Sequence, residues 1–257
     1  VGALRILMIR VSASIIMFAT LCLAWLPRVS AADSIGQVIA VAGQVTAIGE
    51  DGKARTLGLK SPLFLNDKII TSKGSKVQVM FNDDSVVSEG EGSELLIDEY
   101  VYSPKTDKES NCSMKLTKGV FRVITGKITD LNPERFKVHT KMATIGIRGC
   151  ELGFRIRKSK EDVYVLHLPK GKSILIEKMG ENMAGELRQR MEEVLNISMP
   201  GVAVTIEPGS GLKEHDIQPF EVKDLVEEST PSFSSDARGG DDRGEGAAGR
   251  GGDDRGE

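Results

Sequence analysis

The stretch "ATIGIRGCELGFRI", residues 143–156, decides the fold. On one side of its centre stand Ile145 and Ile147, and on the other Leu152, Phe154 and Ile156 alternate with Glu151, Arg155 and Arg157. That is the period-two pattern of strands with one wet face. Between the two runs, Gly146 and Gly149 flank Arg148, and Cys150 follows. A phosphate-holding loop would need glycines leading into a helix N-terminus, with Lys and Ser or Thr in place; "ELGFRIRK" is strand-like instead. A nucleophilic thiol needs a histidine beside it and donors for an oxyanion. The only histidines are His139, His167 and His215, and His139 in "FKVHT" reads as a partly exposed strand residue. What remains is a bend between two strands. Gly146 and Gly149 let the backbone turn, and Arg148 reaches a carboxylate or carbonyls across it.

The same grammar extends outward. From Ile35 to Glu177, short alternating runs are punctuated by turn residues, the signal of an all-β domain. Val77, Val79 and Phe81 share a face, and a tight polar turn at Asn82 to Ser85 leads into Val86, which predicts a hairpin. "DVYVLHL" is apolar at both parities and reads as a central strand. A glycine followed by alternating β-branched residues recurs at Gly36, Gly43, Gly119, Gly171 and Gly201, each a candidate corner between strands. One segment departs from this pattern. Met183, Leu187, Met191, Val194 and Leu195 fall on one face at helical spacing, which predicts an amphipathic helix near 183–196 packed on the sheet. The expected fold is a compact roll, sandwich or solenoid-like stack of short strands with that one helix.

Composition narrows the function. With 34 Lys and Arg against 37 Asp and Glu, the chain lacks the basic footprint of a nucleic-acid binder, and 5% aromatic content argues against a stacking platform. At the N-terminus, Arg5 and Arg10 precede an apolar run from Val11 to Leu26; Pro27 and "VSAADS" follow, with Val29 and Ala31 supplying a small-residue cleavage pattern. Residues 1–32 read as a secretory signal peptide, and no membrane insertion is expected after cleavage. Removing Arg5, Arg10 and Arg28 with no acid would take the net charge from -3 to -6, so the mature chain is exported and mildly acidic. Residues 229–257 collapse to Ser, Gly, Asp, Arg and Glu, with "RGGDDRGEGAAG" beginning again at Arg250, and read as a disordered low-complexity tail.

The bend "ATIGIRGCELGFRI" also resembles the terminal signature of the FecR domain, whose usual form is an Ala-x-x-Gly-x-Arg-Gly-Thr run leading into a final strand. Other pieces agree in order. They are "GQVIAVAGQVTAI" from Gly36, "NDKIIT" at 66–71 for a Gly-Asp-x-Ile-x-Thr step, "VQVMFNDDSVVSEGEGSELLIDEYVYSP" for an Asp-Gly-Ser hairpin and the next strand, and "KLTKGVFRVITGKI" before the signature. The resemblance covers residues 35–157, with a weaker continuation to about residue 211, inside a domain of 33–228. Three positions depart from the pattern: Asn66 and Asp84 stand where Gly is usual, and Cys150 where Thr is expected. Asn66 tolerates left-handed backbone, so the turn survives.

The resemblance implies an extracytoplasmic β module without catalytic apparatus. The expected function is therefore a non-enzymatic exported module that binds, senses or scaffolds in the cell envelope or at the cell surface, its partner an envelope component or a protein. The alternative is a periplasmic component of signalling to a sigma factor through a separate membrane partner, and a minor one is a hydrolase using Cys150 or a carboxylate pair such as Asp98 and Glu99, which alternate to opposite faces of a strand and so cannot cooperate. No cofactor or metal is called for, since Cys112, Cys150 and the histidines lack ligand spacing. Glu89, Glu91 and Glu94 read as a solvated strand edge. Gly146, Arg148, Gly149 and Cys150 form the structural signature, and a Cys112–Cys150 disulfide is a possibility in an oxidising compartment.

Overall fold

The computed structural model describes residues 33–103, 109–179 and 191–232. The predicted signal peptide and nearly all of the predicted tail lie outside them; Ser229, placed at the tail's start, closes a helix instead. Chain order gives β1 (Gly36–Ala42), β2 (Val45–Ile48), β3 (Ala54–Thr56), β4 (Pro62–Leu63), β5 (Lys68–Thr71), β6 (Lys76–Phe81), β7 (Val86–Glu89), β8 (Glu94–Val101) and the long β9 (Asn111–Ile124). A single helical turn, α1 (Ile128–Leu131), follows. Then come β10 (Phe136–His139), β11 (Ala143–Ile147), β12 (Glu151–Ile156), β13 (Glu161–His167), β14 (Ile174–Met179), β15 (Met191–Ile197), β16 (Val202–Ile206), β17 (Lys213–Asp216) and α2 (Pro219–Ser229). The expected all-β class holds, with hairpins dealt alternately to two sheets.

The first sheet runs β4-β1-β6-β7-β9-β12-β13-β16-β17. The second runs β3-β2-β5-β8-β9-β10-β11-β14-β15. β9 is the middle strand of both. Its first part pairs with β8 and, in parallel, with β10; from Gly119 onward it pairs with β7 and β12 in the other sheet. The crossing falls at Gly119, whose φ is +113° and whose absent side chain leaves room for Ser93. Alternation on strands such as β5, β6, β11 and β14 sends apolar residues between the sheets, where Phe81, Phe121, Phe136 and Phe154 are all but fully buried. Four of the five predicted corner glycines, Gly43, Gly119, Gly171 and Gly201, take positive φ. So do Asn66 at +64° and Asp84 at +68°, the two positions that replace a glycine in the motif.

The helix is not where periodicity placed it. Met191–Ile197 is β15, paired antiparallel with β14 through contacts such as Ile176 with Leu195, and residues 183–190 lie outside the described residues. Within 193–197 the pattern is period two: Ile197 is buried and Leu195 half-buried, while Val194 and Asn196 are exposed. The open edge of β14 favours that pairing over the helical stripe. The helix of substance is α2, which starts on Pro219 with Gln218 N–H donating to Glu221 Oε2 at 2.8 Å. It lies on the outer face of the first sheet, where Leu225 packs with Tyr164 and Ala203, flanked by Val120 and Leu166. Gly153 makes the seat, since a Cβ there would stand 2.6 Å from Leu225 Cδ1. Arg155 pairs with Glu228 at 3.2 Å, and Lys76 Nζ donates to the Glu227 carbonyl.

Glu89 corrects another expectation. It shares the inward parity of Val87 and is fully buried, with neither carboxylate oxygen hydrogen-bonded. Glu91 is exposed, and Glu94 bridges Lys68 at 2.9 Å and Lys118 at 2.7 Å. No helix among the described residues is long and apolar enough to cross a membrane.

Candidate functional site at the signature bend

Between β11 and β12 the chain turns through Arg148, Gly149 and Cys150. Gly149 sits at φ +87°, a conformation that costs any L side chain. The bend is clamped by Thr125, at the end of β9. Thr125 N–H donates to the Cys150 carbonyl at 3.2 Å, and Cys150 N–H donates back to Thr125 Oγ1 at 3.0 Å. Thr125 is followed by Gly126, which presses so closely on the Asp83 carbonyl and the Ser85 amide that no side chain fits. Its N–H donates to Ser85 Oγ at 2.8 Å. The β6–β7 hairpin and the signature bend are thereby fastened to the same three-residue connection, Thr125 to Lys127.

Asp83 is the hub. It is fully buried, and its carboxylate accepts from Ser85 Oγ at 2.6 Å, Tyr100 Oη at 3.1 Å and the Ile128 amide at 3.3 Å, while its own N–H donates to Tyr100 Oη at 2.9 Å. A buried carboxylate is tolerable only with donors gathered in this way. Burial, reinforced by the Asp83 charge, pushes the Tyr100 phenol well above its ordinary range, so it remains a donor. Tyr100 stacks on Phe81, with ring centroids 5.4 Å apart, which ties the hub to the apolar core.

Above this floor opens a cleft of about 410 Å³, lined among others by Asp84, Lys127, Gly149, Cys150, His167 and Lys172. Lys127 pairs with Asp84 at 2.6 Å across one wall. Cys150 is 5% exposed, and burial pushes its thiol up to about 12, the neighbouring Glu151 adding to the effect. At neutral pH it is a thiol and not a thiolate, so it offers no nucleophile. His139, half-buried as expected, holds Thr144 Oγ1 at 3.0 Å on the second sheet.

The structure thus divides the predicted signature. Gly149 and Cys150 belong to the clamped bend, whereas Gly146 stands on the outer face of β11 and Arg148 reaches the Glu134 carboxylate at 3.1 Å. Cys112 is not joined to them. It lies within β9, opposite Tyr100 and Phe136 in the second sheet, and both cysteines are free and buried. Each thiol is taken up as a small apolar group, Cys112 also being raised by burial. Asp83, Thr125 and Gly126 escaped sequence reading as site residues; a glycine immediately after a strand and a Thr, in "ITGKI", was the available signal.

These elements coincide with a known family. Residues 67–168 match the family model described as FecR protein, a span running from the start of β5 to just past β13 and holding both the Asp83 hub and the signature. The chain carries a FecR domain. FecR domains are typically periplasmic, and FecR-type proteins are regulatory rather than enzymatic as a class. Two crystal structures of an inferred anti-sigma factor from Parabacteroides distasonis ATCC 8503 are similar at 15% identity, with TM-scores of 0.44 and 0.43. Each comparison covers 62% of this chain, and the chain spans 63% and 64% of theirs, a little under two thirds. Among curated proteins none matches.

Proposed function

We propose that this FecR-domain chain is a non-enzymatic, exported module that binds, senses or scaffolds in the cell envelope or at the cell surface. The carrying observation is the fate of the motif residues. Asp83, Ser85, Thr125 and Cys150 direct their polar groups at one another and at the backbone, and the one candidate nucleophile stays protonated under burial. Such an arrangement fixes a surface and turns nothing over. Export rests on the apolar N-terminal run and its small-residue boundary. N-terminal sequencing of the chain recovered outside the cytoplasm is expected to begin at Ala32 or Asp33; material still beginning near Val1 or Met8 would show an anchored chain.

The FecR match favours a second, narrower reading, a periplasmic component of signalling to a sigma factor through a separate membrane partner. Deletion of the gene then changes the transcripts of one sigma-factor regulon. Unchanged transcripts with an altered envelope would leave the scaffolding reading in its place.

A further inference from the structure

The two outer faces of the sandwich differ. α2 lies over the first, whereas no described element packs across the second. Strand register fixes what stands there. On β11 the outward residues are Thr144 and Gly146. On the β10 side, His139 is level with Thr144 and Lys137 with Gly146. On the β14 side, Glu177 is level with Thr144 and Leu175 with Gly146. One strand further out, Lys115 is level with His139, and Val194, 51% exposed, with Glu177.

Among the described residues no close contact requires Gly146 to lack a side chain. Its φ lies outside the left-handed region, and an added Cβ would meet only Leu175, at an ordinary 3.7 Å. A strand glycine with neither duty marks a place where another backbone comes close. Lys137 and Glu177 form no ion pair or hydrogen bond among the described residues.

We propose that this face pairs with the same face of a second copy of the chain, about a two-fold axis running along β11. Rotation about that axis carries each residue across β11 at its own level. His139 of each copy then meets Glu177 of the other, and the Lys137 stem covers Leu175. The Lys115 stem covers Val194. Gly146 meets Gly146 and Thr144 meets Thr144, so the backbones approach where the side chains are smallest. An axis across the strands would instead set Lys137 against His139, with no anion opposite either; register selects the other arrangement. Five strands at about 4.8 Å spacing give a face only about 20 Å wide, below that of standard stable complexes, so the dimer is weak and reversible.

Sedimentation velocity of the purified chain across the micromolar range tests this. Wild type is expected to pass from monomer to dimer. Gly146→Arg, whose Cβ meets only Leu175 at an ordinary distance, should keep the melting temperature and weaken dimerisation at least about tenfold. Glu177→Arg should weaken it too, and His139→Asp combined with Glu177→Arg should restore it. A chain that stays monomeric throughout overturns the proposal. So does association that survives Gly146→Arg, which would place the contact on another surface or in residues 1–32, and so does a charge swap that fails to rescue.

Discussion

A carboxyl group held away from water with no partner must be neutral, and Glu89 is such a group. Burial alone raises its pKa well above the ordinary 4.5. Below that ordinary value the folded and unfolded chains both hold the proton. As pH rises past it, the unfolded chain releases the proton and the folded chain does not. Stability therefore falls as pH rises, by about 1.4 kcal/mol per pH unit until Glu89 ionises in place. Melting curves from acid to neutral pH should show wild type losing ground to Glu89→Gln, with the two converging in acid; parallel curves would mean the carboxyl has found a partner. Two glycines of the site make a second contrast. Gly149→Ala meets only backbone strain, about 1–2 kcal/mol, because its nearest neighbours stand at 3.6 Å or beyond. Gly126→Ala adds a collision with the Asp83 carbonyl and should melt lower. The reverse order in thermal denaturation would contradict the clamp. The motif flagged Gly149 and not Gly126, because what Gly126 touches is 43 residues away in sequence and no local pattern records it.

Helix α2 depends on its seat more than on its own propensity, since eleven residues are marginal as an isolated helix. Leu225 is its one fully buried apolar side chain, so Leu225→Ala should cost about 2–4 kcal/mol. Gly153→Val should unseat the same side chain from below. In both variants hydrogen exchange is expected to rise across 219–229 while the strands stay protected; uniform loosening would show that the helix is integral to the core. Strands were the legible elements. The hairpin around Asn82–Ser85, the strand of Phe154 and the doubly covered strand of Val163 and Val165 all occur where the apolar pattern put them, except that α2 covers Gly153 on the face of Phe154's strand expected to be wet. The segment around 183–196 misled because methionines and leucines at helical spacing also suit a strand, and only the open edge of β14 decides between them. β9 begins at Asn111, ahead of its apolar residues Met114 and Leu116, since pairing to Tyr100 and Val101 draws polar residues into the ladder.

At the scale of the molecule, the all-β class was legible, but the sharing of one strand by two sheets was not, because only Gly119 marks the crossing. Gly119→Ala combines a strained φ with a collision at Ser93 and should cost more than about 3 kcal/mol, broadening the unfolding transition as the two parts of β9 lose their common geometry. A sharp transition at the wild-type temperature would remove Gly119 from that role.

In both sheets, every strand on one side of β9 precedes it in sequence and every strand on the other side follows it. The protein is therefore a natural split pair. Severed near Asn132, the leading piece would keep β9 with one bare edge in each sheet, and the trailing piece would present β10 and β12 as the matching edges, one parallel and one antiparallel. Reassembly of the two pieces would have a single template, and it would read two registers at once.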